Sequence, residues 1–290
     1  MKKRICFIIN PISGVSKKNN LPEIINSNLD KNVFEADFQY TESRGHAIIL
    51  SEEAVKRNFD VVCAVGGDGS VHEVAKSLIH SKSSLAIIPC GSGNGFARHL
   101  GLPLSIKKAL HRINKGNEIT VDTGLLNEHH FINVCGFGFD AHIAHEFDKY
   151  HKRGFNAYMR LVIKEFKNYK PQSVILKTKD EKIESDIFLT TIANASQFGN
   201  GFQISPYSNV HDGKFELMLY RNAPFRKMLT DLIKFFNGSI HRSSNVTINS
   251  FEEIELHLEN NIAHADGEPI MLENNVARVK VIPNSLKILT

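Results

Sequence analysis

Val61-Val62-Cys63-Ala64-Val65-Gly66-Gly67-Asp68-Gly69-Ser70 leads straight into Val71-His72-Glu73-Val74-Ala75-Lys76-Ser77-Leu78-Ile79. The unbroken apolar run has the length of a buried strand. The apolar residues after the glycines recur at three- and four-residue steps, the period of a helix. A strand that feeds a helix through a glycine turn gathers unpaired backbone N–H groups and the positive end of a helix dipole at one point, a setting suited to phosphate. Asp68 cannot hold a phosphate itself, but it can hold a cation or a water that does. Ser70 and Glu73 carry a second explanation, because Ser-x-x-Glu at a helix start is also a capping box.

The same alternation extends through the first 120 or so residues. Strand-like runs at 4–10, 33–40, 60–65 and 85–89 are separated by helical patterns at 20–29, 45–58, 70–80 and 105–115. That order predicts a parallel sheet covered on both faces, with ligands beyond the carboxyl ends of its strands. Three turns fall at those ends: Asn10-Pro11-Ile12-Ser13-Gly14, Gly66 to Ser70, and Pro89-Cys90-Gly91-Ser92-Gly93-Asn94-Gly95. One such turn is weak, but three on separate strands make a site. No GxxxxGK[ST] loop occurs and GxGxxG spacing fails after Gly91, so phosphate would be held by backbone N–H groups, hydroxyls and metal. After Asp122-Thr123-Gly124 the pattern changes to short β-like runs with two helical interruptions, predicting a largely antiparallel β domain.

Composition bounds the rest. The chain has 290 residues, 42% hydrophobic and 23% charged, with net charge +4, which reads as a globular protein of about two domains. Nothing basic and aromatic is patterned for nucleic acid, and no run approaches the ~18 apolar residues of a membrane span. Ile5 to Ile9 is too short for a signal peptide, and Asn10-Pro11 ends it, so a first strand is expected there. Cys6, Cys63, Cys90 and Cys135 form no CxxC pair and read as reduced thiols of a cytoplasmic protein. The two helical stretches are basic and apolar. Between Lys149 and Lys170 seven basic residues face one acid, Glu165, a local +6. Phe155, Tyr158, Met159, Val162, Ile163 and Phe166 form one apolar face there, and Phe225, Met228, Leu229, Leu232, Ile233 and Phe236 form another. These are either ordinary packed helices or a surface that meets anionic lipid heads at the inner membrane face.

Two acidic turns lie late in the chain. Ala265-Asp266-Gly267-Glu268-Pro269 is either a plain turn or the source of a general base for a hydroxyl. His211-Asp212-Gly213-Lys214 is either a β-turn or a set of oxygen ligands for a hard cation.

Together these blocks resemble the diacylglycerol kinase catalytic family, which includes sphingosine and ceramide kinases. The resemblance is carried by Asn10-Pro11-x-Ser13-Gly14, Gly66-Gly67-Asp68-Gly69-Ser70, Pro89-Cys90-Gly91-Ser92-Gly93-Asn94, Asp122-Thr123-Gly124, Gly136-Phe137-Gly138-Phe139-Asp140-Ala141, Ala193-Asn194-Ala195 and Asp266-Gly267-Glu268, in that order. It implies a nucleotide-binding α/β domain over 1–124, a β-sandwich lipid-substrate domain over 125–290, and an active site in the cleft between them. It implies that Asn10, Pro11, Ser13, Gly14, Thr41, Gly66, Gly67, Gly69, Ser70, Glu73, Ser92 and Asn94 bind ATP, and that Asp68 positions Mg²⁺–ATP. Glu268, with Asp266, would take the proton of the lipid hydroxyl, and Asp122 would lie near the lipid head. The carbonyls of Asn209 and Lys214 with the Asp212 side chain would hold a structural Mg²⁺. Three positions depart from the family pattern: His72 replaces an Asn, Gly95 an Asp common in bacterial diacylglycerol kinases, and His211 an acid. Gly95 brings the third turn, Ser92-Gly93-Asn94, closer to sphingosine kinases, so the acceptor stays open between diacylglycerol and a sphingoid-like lipid. NAD kinase or another small-molecule kinase, and a non-catalytic binder, are the other readings. The oligomeric state is open, a homodimer among the options.

Overall fold

The computed structural model describes residues 2–14, 20–150, 154–166, 168–177 and 182–290. The chain forms two compact units, Met1–Val121 with Asn284–Thr290, and Asp122–Pro283. The last seven residues, expected in the second domain, thus lie in the first unit, because the final strand ends beside one of its strands.

In the first unit β1 (Lys3–Ile9), α1 (Leu21–Asn28), β2 (Phe34–Tyr40), α2 (His46–Lys56), β3 (Val61–Gly66), α3 (Asp68–Leu78), β4 (Ser84–Pro89), α4 (Gly95–His99) and α5 (Ile106–Lys115) follow one another. The strands pair in parallel in the order β2-β1-β3-β4. Ile5, Phe7 and Ile9 of β1 and Cys63 and Val65 of β3 pack with Leu21 and Ile25 of α1 and Leu110 and Ile113 of α5. The alternate residues Cys6, Ile8, Val62 and Ala64 are equally buried, and α2 and α3 contact these strands. Burial on both faces is why β1 and β3 read as continuous apolar runs rather than alternating ones. The order reverses direction between β1 and β3, and beyond the carboxyl ends of those two strands such sheets bind ligands.

β5 (Glu118–Leu126) carries the chain into the second unit. There β6 (His129–Phe131), β7 (Val134–Gly138), α6 (Phe139–Asp148), α7 (Phe155–Phe166), β8 (Gln172–Lys177), β9 (Lys182–Ala193), β10 (Gln197–Gly199), β11 (Phe202–Gln203), β12 (Phe215–Arg221), α8 (Phe225–Phe236), β13 (Val246–Phe251), β14 (Glu253–Leu258), β15 (Ile262–Ala265), β16 (Glu268–Met271) and β17 (Val276–Leu289) follow. The pairings within this unit are antiparallel, as expected. β9 is long enough to pair with β8 through its first half and with β7 and β12 through its second.

Two features differ from the sequence reading. α6 is an additional helix. Phe139, Ile143 and Phe147 have its four-residue spacing, but the glycines before it and the histidines within it obscure the signal. The apolar faces of α7 and α8 are also turned. Leu161 is buried and Ile163 is 62% exposed on α7, while Met228 and Phe235 pack inward on α8 and Leu229, Ile233 and Phe236 face outward. Periodicity finds an apolar stripe but cannot say which edge of a wide one is covered. Lys152, Arg153 and Lys167 of the +6 segment lie outside the described residues.

Candidate active site

The first unit brings its predicted residues to the carboxyl edge of the sheet. Asn10 follows β1 directly and donates its N–H to the Val65 carbonyl of β3, at 3.1 Å. Its Nδ2 donates to Ser70 Oγ at 3.1 Å, and its Oδ1 accepts the Ile12 N–H at 3.1 Å. The Thr41 N–H, after β2, donates to the Ile9 carbonyl at 2.9 Å, placing Thr41 at the same edge. Ser13 Oγ donates back to the Asn10 carbonyl at 3.1 Å, curling the Asn10–Gly14 turn. Ser92 is exposed on the third turn.

Glycines allow these turns to touch. A Cβ on Gly91 would lie 2.5 Å from the Gly67 Cα, and one on Gly14 would collide with the Cys90 carbonyl. Asp68 then ties the second turn to the third. Its two carboxylate oxygens accept the N–H groups of Asn94 and Gly95, each at 2.7 Å. Asn94 closes its own loop, accepting from the Gly91 N–H at 3.0 Å and donating to the Gly91 carbonyl at 2.8 Å.

The capping-box explanation of Ser70 and Glu73 does not hold. α3 begins at Asp68 with Gly67 at the N-cap, so Ser70 is the third helical residue and not the cap. Glu73 instead accepts the N–H groups of Gly45 at 3.0 Å and Ala47 at 3.2 Å, capping α2. The first-turn amides of α3 keep no partner within their own helix, the arrangement in which a helix N-terminus binds an anion.

The second unit collects its carboxylates around one hairpin. β15 and β16 join through Asp266 (φ 51°) and Gly267 (φ 85°), with Ala265 opposite Glu268. Two successive positive φ values make a type I′ turn, for which Asp-Gly is a favoured pair. Asp266 is also an anchor, since its carboxylate accepts the N–H groups of Ile132, Asn133 and Val134, each at 2.9 Å. Glu268 is partly exposed at the start of β16. Asn194 donates to the carbonyls of Ile132 (2.7 Å) and Asp122 (2.8 Å), linking the anchor segment to Asp122. Asp122 is fully buried, and its Oδ2 accepts the Gly213 N–H at 2.8 Å.

Asn209, His211, Asp212 and Lys214 are exposed, while Val210 of the same loop is buried. Asn209 Oδ1 accepts the His211 N–H at 3.1 Å and Asp212 Oδ1 accepts the Lys214 N–H at 3.0 Å. What this loop offers a cation is the second Asp212 oxygen and backbone carbonyls. No cluster of three His, Cys, Asp or Glu side chains suited to a metal occurs among the described residues. An all-oxygen set with one carboxylate fits a hard cation that keeps most of its waters, and no softer metal.

Three polar residues given no role from sequence meet beside the turn, one of them, His264, on the hairpin's own first strand. Thr191 Oγ1 donates to Asp140 Oδ2 at 3.0 Å, and His264 Nε2 lies 2.9 Å from the same oxygen. A Cβ on Gly136 would collide with the Asp140 and His264 side chains, so this glycine makes room for their contact. The Asp140 block was visible in the sequence, but its partners on β9 and β15 were not.

Residues 4–126 match the family model of the diacylglycerol kinase catalytic domain, and residues 133–290 that of the YegS C-terminal NAD kinase beta sandwich-like domain. A diacylglycerol kinase of Bacillus subtilis is 28% identical over 272 residues, 89% of either chain. One of Staphylococcus haemolyticus is 30% identical over 282 residues, 89% of this chain and 82% of that one. The crystal structure of a diacylglycerol kinase from Bacillus anthracis shares the fold over 99% of this chain and 96% of that chain, with TM-score 0.74 and 19% identity. With both halves matched in order, the chain belongs to the diacylglycerol kinase family of lipid kinases, enzymes that phosphorylate an alcohol group.

Proposed function

We propose that this protein transfers the γ-phosphoryl group of Mg²⁺–ATP to the hydroxyl of a diacylglycerol or sphingoid-like lipid, a step in phospholipid metabolism. The observation that carries the reading is the Asp68 strut, which joins two glycine turns at the edge where the sheet order reverses. Asn10, Pro11, Ser13, Gly14, Thr41, Gly66, Gly67, Gly69, Ser70, Ser92 and Asn94 line the three turns or adjoin them and would cradle the triphosphate through amides and hydroxyls. Glu73 would act from behind, through α2. Phosphoryl transfer asks the protein mainly for positioning and charge neutralisation.

Glu268 is the base. Its carboxylate takes the hydroxyl proton as the lipid oxygen bonds to the γ-phosphorus. The bond from that phosphorus to the β–γ bridging oxygen breaks, and ADP leaves with the electron pair. Asp266, held by three amides, fixes the turn that carries Glu268. Asp122, fully buried, acts on the lipid side through the Asp212–Gly213 loop rather than by contact. If Asn209, Asp212 and Lys214 hold Mg²⁺, that ion braces the same loop.

The lipid would be reached from a membrane surface on the cytoplasmic side. No helix among the described residues is long and apolar enough to cross a membrane. α8 turns Leu229 (48%), Ile233 (66%) and Phe236 (41%) outward, with Arg226 and Lys227 exposed on the same helix. An apolar stripe beside basic residues suits the interface of an anionic bilayer.

The test is a phosphorylation screen with labelled ATP against lipid extract in mixed micelles, with NAD in a parallel arm, and mass spectrometry of the product. A phosphorylated lipid is expected. Labelled NADP, or ATP turnover without a labelled lipid, overturns the reading.

A further inference from the structure

We infer that His264 is a positioning residue for Glu268, holding the tip of its hairpin through the Gly267 amide in a way that depends on the protonation of the ring. The inference rests on the reading of Glu268 as base. β16 lies at the edge of the sheet and is held there by β15. Its tip is tied to the rest of the unit by Asp266 on the 132–134 backbone. Within the hairpin it is braced by His264, whose Nδ1 accepts the Gly267 N–H at 3.2 Å.

That donor fixes the tautomer. Nδ1 accepts, so the ring hydrogen of the neutral imidazole sits on Nε2. Nε2 lies 2.9 Å from Asp140 Oδ2, a short contact off the hydrogen-bond line, while Thr191 holds the same oxygen at 3.0 Å. The side chain is 3% exposed, so no bulk water substitutes for either partner. Protonation puts a hydrogen on Nδ1 as well. The imidazolium gains charge attraction to Asp140 and loses the Gly267 amide, because two donors then face each other. The residue immediately before Glu268 is thus held while the ring is neutral and released once it is protonated.

Other titrating groups face this pocket. α6 contributes His145, whose Nε2 meets the carbonyls of Ala263 and Ile270, besides Asp140. The hairpin itself carries Asp266 and Glu268. Cys135 on β7 and Tyr158 on α7 stay neutral near pH 7, since burial pushes the thiol and the phenol well up. Asp140 is the nearest carboxylate to the ring, so its charge and the Gly267 hydrogen bond oppose each other.

The experiment follows the Gly267 amide by NMR in the full-length protein. Labelling Asp with ¹³C and Gly with ¹⁵N leaves three Asp-Gly amides, those of Gly69, Gly213 and Gly267. On acidification from about pH 8 the Gly267 signal is expected to move as the ring takes its proton, and the protection of its amide, measured against the intrinsic exchange rate at each pH, to fall. His264→Asn keeps an acceptor near Nδ1 without a titrating ring. It should give a flat Gly267 signal, keep kcat at high pH within about threefold, and lose any limb of the kcat profile that His264 causes. His264→Leu should lower kcat about 10- to 100-fold with KM for ATP unchanged. A Gly267 amide indifferent to pH in the wild type overturns the inference, as does full kcat in a folded His264→Leu. If Glu268→Gln keeps full turnover, the base assignment fails instead, and the Gly267 titration, which needs no turnover, still decides whether His264 holds the turn.

Discussion

The Asn94 amide donates to Asp68 at 2.7 Å, so the glycine turn after β3 grips the one after β4 through a side chain. Asp68→Asn keeps the size but leaves only one oxygen for the two amides of Asn94 and Gly95. It should cost about 1–2 kcal/mol of stability, read by urea denaturation. Lipid phosphorylation should fall at least about 100-fold in kcat/KM.

Gly91→Ala tests the contact between the turns from the other side. The added Cβ would lie 2.5 Å from the Gly67 Cα, and backbone cannot swing aside as a side chain can. Overpacking of about 1–3 kcal/mol is expected, with weaker binding of an ATP analogue by calorimetry. Gly69→Ala meets nothing within 4 Å and should leave the melting temperature unchanged.

Glu268 and Asp266 should fail differently. Glu268→Gln should lower kcat about 10²- to 10⁴-fold with an unchanged melting temperature and an unchanged KM for ATP. Asp266→Ala strips the acceptor from three backbone amides and should destabilise by about 2–4 kcal/mol, measurable in denaturant without any assay of activity.

Asp231 anchors α8. It is fully buried and accepts from Tyr220, Ser243 and Asn245 at 2.7–3.0 Å on one oxygen and from Lys234 at 2.9 Å on the other. Burial pulls its carboxyl up, but these donors outweigh it and hold it below the ordinary range. A depressed folded value means stability that is present above about pH 4, the unfolded carboxyl range, and lost as pH falls through the folded one. Asp231→Asn should flatten that acid loss in a series of melting curves and cost about 1–3 kcal/mol near neutrality.

Glu216 has the opposite sign. Burial raises its carboxyl, the nearby Ser208 hydroxyl offsets only part of this, and the Asp212 charge raises it further. Its stabilising contribution is present below the unfolded value and lost as pH rises through the folded one. Glu216→Gln should therefore raise the melting temperature at about pH 8 and leave it unchanged at about pH 4. A variant no more stable in base than in acid would refute this.

The strands and helices of the first unit were readable because burial on both faces leaves unbroken apolar runs and the turns carry glycine. The site was readable as a set of motifs but not as a set of bonds. Asp68 finds its donors 26 and 27 residues away, Glu73 caps a helix earlier in the chain, and Asp266 reaches back more than 130 residues to 132–134. Local patterns such as Ser-x-x-Glu offer a nearby partner, and at Ser70 and Glu73 distant donors replace it. His264 gave no signal at all, because a buried histidine in a strand looks the same whether it fills space or holds a turn.

The course of β17 has a consequence for synthesis. Val276–Lys280 pairs with β14 in the second unit, and Ile288 pairs with Leu85 of β4 in the first. On the ribosome β4 is made two hundred residues before the strand that covers its flank. Until Leu286, Ile288 and Leu289 emerge, the nascent α/β layer presents a bare parallel edge, open to pairing with a neighbouring polypeptide. A fragment cut at Val121 should carry that vulnerability permanently and precipitate where the whole chain does not.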